Sequence, residues 1–374
     1  MKKYNIHNLI EIRLAKDVSI IFQDEVEFKY KFFRNYSDKS EAQSLKILNI
    51  FSYDSFLKQN KYKESKISHD FTYLRSEFCS SANEEIAIEK IFNGFNVYTN
   101  GLNVVDILIQ ILLTEIGYSF IHAGGLSIDK KGILLSGMGG IGKTQIVSKL
   151  SERENVDILG DDLVIFSKNG ECLAFPKPFM LKPQHAGIYP ALFKNSNYIF
   201  KFQRIKNNII VFLKENLPFS GIIKNFIKSD NLFSNKIRNL LLINAAELIP
   251  VYPWNLPNLK ISKAVDCKKI ILIERNQSDN KVFKESNLNN DDSVGLLVSI
   301  ILSEFKTTQW LLPWLGKADL INLGSFYKQV FNIYETFVEN IDVLSIDASI
   351  KIDSDEYIKE MIRKIEIEIL EKSD

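Results

Sequence analysis

One eight-residue segment constrains the fold of this chain more than any other part of its sequence. It reads Gly-Met-Gly-Gly-Ile-Gly-Lys-Thr over residues 137–144 and matches the G-x-x-x-x-G-K-[ST] pattern of a phosphate-binding loop. The apolar residues 132–136 before it predict a buried strand, and residues 144–150 after it have the apolar spacing of a helix. A strand, a glycine-rich loop and a helix in this order predict a site where backbone N–H groups surround a polyphosphate.

Each residue type in this loop has a chemical reason to be there. Glycines let the backbone turn inward around phosphate groups, where a Cβ atom would obstruct the path. The Lys143 ammonium can reach the β- and γ-phosphates, and the Thr144 hydroxyl can bind Mg²⁺. We therefore predict ATP and Mg²⁺ as cofactors. The residues predicted to bind the nucleotide are Gly137, Met138, Gly139, Gly140, Ile141, Gly142, Lys143 and Thr144.

Two adjacent carboxylates follow the next predicted strand, residues 156–160. A carboxylate at Asp161 can hold Mg²⁺ together with Thr144, and a second one at Asp162 can accept a proton from an attacking hydroxyl. The alternative is that the Asp-Asp pair only begins a turn. We predict both residues to be catalytic, together with Lys143, and the division of roles between the two carboxylates stays open.

His122 is the third candidate, fifteen residues before Gly137. It lies on a predicted strand that should run beside the strand leading into the loop. A histidine on an apolar strand is often a buried residue of the core. Its position on a strand beside the loop strand favours a catalytic role next to the phosphates to the same degree as a role in the core.

In this chain of 374 residues, composition and hydropathy argue against nucleic acid as a partner and against membrane insertion. The net charge is +1, so no overall field favours nucleic acid, and 45% hydrophobic and 25% charged residues are typical of a soluble globular protein. The most apolar segment, residues 104–116, is interrupted by Asp106, Gln110 and Glu115. It is therefore too short and polar for membrane insertion. The N-terminus lacks the pattern of a signal peptide, and the three cysteines form no even framework for disulfides, so we expect a cytoplasmic protein.

The strand pattern predicts an α/β fold with a mixed sheet. Residues 1–100 are predicted as a strand-rich region, with strands at 18–22 and 26–33, and residues 35–68 as loops around a short strand or helix. Residues 101–350 form the predicted core, and residues 351–374 a C-terminal helix that caps it, with Ser354 as its N-cap. A Lys-rich insertion at about 195–242 is either a solvated segment or a surface for an acidic partner.

Three segments together resemble one family. They are residues 120–144, which include the His-Ala-Gly-Gly run and the loop, residues 158–164 around the Asp-Asp pair, and the proline-containing residues 174–183. These segments resemble the HPr kinase/phosphorylase-like family, whose phosphate-loop core is shared with phosphoenolpyruvate carboxykinases. The resemblance implies a kinase that transfers the γ-phosphoryl group of ATP to a hydroxyl, with a Ser of a peptide or small protein as the expected acceptor. The Glu-Ile-Arg-Gly type segment linked to the reverse reaction has no counterpart here, so phosphorylase activity and HPr as the acceptor do not carry over.

Other functions are compatible with the same loop. A small-molecule hydroxyl kinase could use the same core. The loop sequence is also typical of regulatory ATPases of the NB-ARC type, but these place their acidic strand much farther downstream than the eighteen residues that separate Asp161 from Lys143. A nucleotide-binding interaction module without turnover is a third alternative. The complete set of Lys143, Thr144, Asp161 and Asp162 argues against it, because binding alone needs no base.

Overall fold

The computed structural model describes most of the chain outside residues 182–248. The described residues are 1–34, 45–58, 65–66, 72–75, 78–81, 85–181, 249–255, 259–277, 283–286, 288–305 and 308–370. The fold is mixed α/β, as predicted. The Lys-rich segment 195–242 lies outside the described residues, so both interpretations of it, a solvated segment and a surface for an acidic partner, stay predictions.

The N-terminal region contains a mixed sheet of eight described strands in the order β1-β2-β3-β8-β7-β6-β5-β4. Two helices, α1 (Ile20–Tyr30) and α2 (Tyr53–Lys58), accompany it. The strands are β1 (Lys2–Ile6), β2 (Ile10–Leu14), β3 (Lys46–Phe51), β4 (Ser65–Lys66), β5 (Thr72–Arg75), β6 (Phe78–Ser81), β7 (Ile86–Ile91) and β8 (Gly94–Thr99). The apolar part of residues 35–68 thus contributes both a strand and a short helix.

The prediction of two strands at residues 18–22 and 26–33 is wrong, because this segment forms α1. The alternation of aromatic and β-branched residues within positions 18–33 is also typical of a strand. The buried residues Phe22, Val26 and Tyr30 are instead spaced four apart, which places them on one face of a helix. The Ser19 side chain accepts a hydrogen bond from the backbone N–H of Phe22 and caps the first turn.

The second sheet contains nine described strands and carries the phosphate loop. Its order is β16-β11-β9-β12-β13-β17-β19-β18, and β10 pairs with both β9 and β17. Two further strands, β14 and β15, pair only with each other. The strands are β9 (Tyr118–Ile128), β10 (Lys131–Ser136), β11 (Val156–Gly160), β12 (Leu163–Ser167), β13 (Glu171–Leu173), β14 (Phe179–Leu181), β15 (Ile249–Val251), β16 (Lys260–Ile261), β17 (Ala264–Asn276), β18 (Phe283–Ser286) and β19 (Asp342–Ser349).

The long strand β9 organises this second sheet. It pairs antiparallel with β10, β11 and β12, and its Ala123 lies opposite Ser136 at the end of the loop strand. The predicted neighbourhood of the His122 strand and the loop strand is therefore confirmed. On the other side of β10, β17 runs parallel, and β19 runs parallel to β17. The sheet is mixed, as the sequence predicts.

Six further helices of the described residues accompany this sheet, and two of them, the helix after the loop and the C-terminal helix, correspond to those predicted above. Another helix, α6, contains Pro313 and was not predicted. The last helix begins at Ser354, but its N-cap is Asp353, whose side chain accepts from the N–H of Asp355. These helices are α3 (Val105–Glu115), α4 (Lys143–Leu150), α5 (Asn290–Glu304), α6 (Thr308–Lys317), α7 (Leu323–Glu339) and α8 (Ser354–Leu370).

The two largest apolar clusters of the described residues pack on the loop strand, one on each of its faces. Leu134 of β10 belongs to the larger cluster, which joins the N-terminal sheet, α1 and α3 to helices α5 to α7. Ile133 and Leu135 point to the smaller cluster, where α4 packs with α8. This alternation is the period-2 pattern of a strand buried on both faces. Within the described part of the chain, no helix is long and apolar enough to cross a membrane.

Candidate functional site

The phosphate loop connects the end of β10 to the start of α4, and its backbone geometry requires glycine. A Cβ atom on Gly137 would lie 2.3 Å from the carbonyl oxygen of Ile273, so no other residue fits without a shift of the backbone. Gly142 caps the N-terminus of α4 with φ of +92°, in the left-handed region that favours glycine. The motif glycines are therefore explained by the local path of the chain.

Lys143 is held inside the loop by the loop's own backbone. Its side chain is buried, and Nζ donates to the carbonyl oxygens of Gly137 at 2.6 Å and Met138 at 3.2 Å. Burial lowers the pKa of Lys143, and the carboxylates of Asp162, Glu304 and Asp161 oppose that effect. The ammonium group therefore lies within the loop, where it can exchange its carbonyl partners for phosphate oxygens.

Thr144 and Asp161 are joined by a hydrogen bond. The Thr144 hydroxyl donates to Oδ2 of Asp161 at 2.9 Å, while Oδ1 of the same carboxylate is buried without a hydrogen-bond partner among the described residues. Burial, followed by the nearby charge of Asp162, raises the pKa of Asp161 to about 7. An orphaned carboxylate oxygen beside a hydroxyl is a donor set that fits Mg²⁺, which takes hard oxygen ligands.

Asp162 points to a different set of partners. Its Oδ2 is 3.1 Å from Nζ of Lys177, and its Oδ1 is 3.3 Å from Nδ1 of His122. The side chain is 48% exposed. Burial of part of the group would raise the pKa of Asp162, but the positive charge of Lys177 and the contact with His122 outweigh it and hold that pKa below its usual value. Asp162 is therefore an ionised carboxylate with access to solvent.

His122 lies between two carboxylates. Its Nδ1 faces Asp162, and its Nε2 is 3.4 Å from Oε1 of Glu304 at the end of α5. The ring is 4% exposed, and neither nitrogen has a hydrogen bond of good geometry within the described part of the structure. Burial, followed by the charge of Lys143, lowers the pKa of His122, and the carboxylates of Asp162 and Glu304 oppose that effect.

The structure brings most of the predicted site residues together. The loop, Thr144 and Asp161 form one group, and Asp162 with His122 forms a second one beside it. Met138 is half exposed, and its sulfur is 4.0 Å from the hydroxyl of Ser303 on α5. Among the described residues, no group of three or more His, Cys, Asp or Glu side chains could hold a metal ion. A bound Mg²⁺ would therefore need phosphate or water ligands in addition to Thr144 and Asp161, which is its usual mode of binding with nucleotides.

Three residues of this region were missed by the sequence analysis. Lys177 contacts Asp162, and Glu304 contacts His122 and lies 3.7 Å from the place of a Cβ on Gly139. Tyr357 donates its hydroxyl hydrogen to the carbonyl of Ile141 at 2.8 Å. Lys177 stands in the proline-containing stretch that carries part of the family resemblance, which was a usable signal. The positions of Glu304 and Tyr357 have no local signal, because each lies on a distant helix.

No protein-family model matches this sequence, and no curated protein sequence matches it either. The resemblance to the HPr kinase/phosphorylase-like family therefore depends on the three segments quoted above.

Proposed function

We propose that this chain is an ATP- and Mg²⁺-dependent phosphotransferase that transfers the γ-phosphoryl group to a hydroxyl, with a Ser of a peptide or small protein as the expected acceptor. The observation that carries the proposal is the hydrogen bond between Thr144 and Asp161 at the start of α4. It joins the loop to the Asp-Asp pair, so a phosphate-binding element and two carboxylates lie within one site. Phosphoryl transfer needs mainly positioning and neutralisation of charge, and this set of residues can supply both.

The binding roles follow from the geometry of the loop. The backbone N–H groups of the loop and the N-terminus of α4 would hold the phosphates, and Lys143 would neutralise their charge. Thr144 and Asp161 would hold Mg²⁺ through their oxygen atoms. When bound, Mg²⁺ and ATP supply the transferable phosphoryl group and compensate the negative charge that develops on its oxygens.

The acceptor hydroxyl would be oriented by Asp162. This carboxylate is ionised, reaches solvent and stands next to the metal-binding carboxylate, so it can accept the proton of an attacking hydroxyl and later release it to water. Lys177 donates to one oxygen of Asp162 at 3.1 Å, and Nδ1 of His122 lies 3.3 Å from the other. The lowered pKa of His122 favours a neutral imidazole, which adds no charge that would repel Lys143.

Two observations weigh against the alternatives. The strand of His122 lies directly beside the loop strand, which the kinase core requires and the NB-ARC alternative does not. A module that only binds nucleotide has no use for a second carboxylate beside the metal-binding one, whereas Asp162 is ionised and exposed to solvent there. The small-molecule acceptor remains an alternative that experiment must separate.

The test is transfer of label from γ-³²P-ATP in the presence of Mg²⁺. The purified chain is incubated with a peptide pool that carries one fixed Ser, with a matched pool that carries Ala instead, and with free serine and glycerol. The proposal expects label in the Ser pool and none in the Ala pool. Label in serine or glycerol alone would favour the small-molecule kinase. Nucleotide binding without transfer to any acceptor or to water would contradict the proposal.

A further inference from the structure

Lys177 is carried by a short segment that the N-terminal region holds in place. The N–H of Phe175 donates to the carbonyl of Leu159 on β11 at 2.9 Å, which fixes the segment beside the Asp-Asp strand. From the N-terminal side, the ring nitrogen Nε2 of His7 donates to the carbonyl of Ala174 at 2.7 Å. The residues directly before Lys177 are therefore fixed from two directions.

Aromatic contacts add to this attachment. The Phe175 ring, fully buried, lies with its centroid 5.4 Å from that of Phe33 and 6.2 Å from that of Tyr30. Tyr30 belongs to α1, and Phe33 follows that helix directly. The Tyr30 hydroxyl donates to Oδ1 of Asp106 at 2.7 Å, and Lys29 forms an ion pair with the same carboxylate. The end of α1 is thereby fixed to α3.

The position of Lys177 follows from these contacts. Its ammonium lies 5.9 Å from the centroid of the Phe175 ring and 3.1 Å from Oδ2 of Asp162. A lysine on a free loop would sample many rotamers. This one extends across a fixed aromatic ring toward one carboxylate and is only 17% exposed. Its effect is to hold Oδ2, which leaves Oδ1 directed to the side of His122.

We propose that Lys177 is a positioning residue for Asp162, and that the N-terminal region builds this part of the site through His7, Tyr30 and Phe33. The inference rests on the proposed function only for its kinetic consequence. The N-terminal region then contributes to catalysis, because it holds the segment that places Lys177 against Asp162. Loss of the contacts between the N-terminal region and the segment before Lys177 therefore lowers the rate of transfer. Nucleotide binding is unaffected, because Asp161, Glu304 and Tyr357 lie near the phosphate loop independently of this segment.

The kinetic test compares Lys177→Met with Lys177→Arg, and uses Lys168→Met on the exposed turn after β12 as the matched control. We expect Lys177→Met to lower kcat by roughly 10²-fold, the lower end of the range for loss of a positioned base, with the Kd for ATP within about twofold of wild type. Lys177→Arg should recover much of the loss, because it keeps the positive charge. A wild-type kcat in the folded Lys177→Met variant would overturn the proposal.

The N-terminal contribution is tested with Phe33→Leu and His7→Asn. Asn tolerates the left-handed backbone at position 7, where φ is 51°, but is too short to reach Ala174. Either folded variant should lower kcat and leave the Kd for ATP unchanged. If both fold and both keep the wild-type kcat, the N-terminal region does not position Lys177.

A measurement without catalysis separates this inference from the proposed function. Thermal denaturation is recorded for Lys177→Met, Asp162→Asn and the double variant. If the two side chains act as a pair, the shifts in Tm are not additive, and the double variant melts close to the less stable single variant. Additive shifts would overturn the pairing whether or not the chain transfers phosphate. Non-additive shifts in a protein without transfer would support the pairing and reject the proposed function alone.

Discussion

The hydroxyl of Tyr357 donates to the carbonyl oxygen of Ile141 over 2.8 Å, so helix α8 is attached directly to the phosphate loop. Two side chains hold the Tyr357 ring in turn. The Phe283 ring stacks on it with the centroids 5.8 Å apart, and Cζ of Arg275 lies 4.4 Å from the Tyr357 centroid. Arg275 also donates to the carbonyl of Ser349 at 3.1 Å. A fixed side chain of the C-terminal helix therefore contacts the backbone of the loop.

Replacement of Tyr357 by Phe should weaken ATP binding without unfolding the chain. One neutral hydrogen bond contributes about 0.5–1.5 kcal/mol, which corresponds to roughly a two- to tenfold rise in Kd. Isothermal titration calorimetry with ATP measures this change. Tyr118→Phe is the matched control, because its hydroxyl donates to Glu171 on β13 and not to a residue of the loop. An equal Kd for wild type and Tyr357→Phe would show that the loop does not depend on α8.

Replacement of Lys143 by Ala should abolish or strongly weaken ATP binding. Hydrogen bonds to charged groups contribute about 1.5–3 kcal/mol, so we expect at least a roughly tenfold rise in Kd. Lys149→Ala is the control, since this lysine lies in the last turn of the same helix α4. Calorimetry that gives the same affinity for wild type and Lys143→Ala would reject the loop as the nucleotide site.

Two glycine substitutions should shift the thermal stability in opposite directions. Gly137→Ala places a Cβ 2.3 Å from the carbonyl oxygen of Ile273 and should cost about 1–3 kcal/mol, or roughly 1–4 °C in Tm. Gly295 lies inside α5 with open space around it, so Gly295→Ala should stabilise the protein by about 0.5–1 kcal/mol. Calorimetric melting curves compare the two. A Gly137→Ala protein as stable as wild type would contradict the described path of the loop.

His122→Asn should lower the transfer rate while ATP still binds. The imidazole lies against Asp162 and Glu304, and the shorter Asn side chain leaves both carboxylates without this spacer. We expect kcat to fall by at least about tenfold, since misplaced catalytic groups commonly cost more than that. Steady-state kinetics and calorimetry on one preparation separate the two effects. If only the Tm falls and kcat is unchanged, His122 is a residue of the core.

The sequence predicted the part of the site that lies within one contiguous stretch. The order of strand, loop and helix around residues 132–150 and the Asp-Asp pair after β11 follow from local patterns, because glycine, apolar spacing and capping act over a few residues. The neighbouring position of His122 was also predictable, since a short turn of Asp129 and Lys130 joins β9 to β10 and brings the two strands together.

The remaining features depend on contacts between distant segments. Lys177 reaches Asp162 only because residues of the N-terminal region hold Phe175, and Tyr357 reaches the loop from the last helix. Cys172 and Cys267, far apart in sequence, are free, buried thiols on the paired strands β13 and β17. The strands predicted at residues 18–33 were wrong for a related reason. Their alternating pattern is ambiguous, and burial of one helical face against the core decided the outcome.

The most direct test of the central claim is transfer from γ-³²P-ATP by the double variant Asp161→Asn, Asp162→Asn. The loop and Lys143 are intact in this protein, so calorimetry should still detect ATP binding. Transfer should fall by about 10²–10⁴-fold, because both the metal-binding carboxylate and the hydroxyl-orienting base are lost. Asp157→Asn on the same strand β11 should transfer at the wild-type rate. Wild-type transfer by the double variant would contradict the assignment of both carboxylates and with it the proposed mechanism.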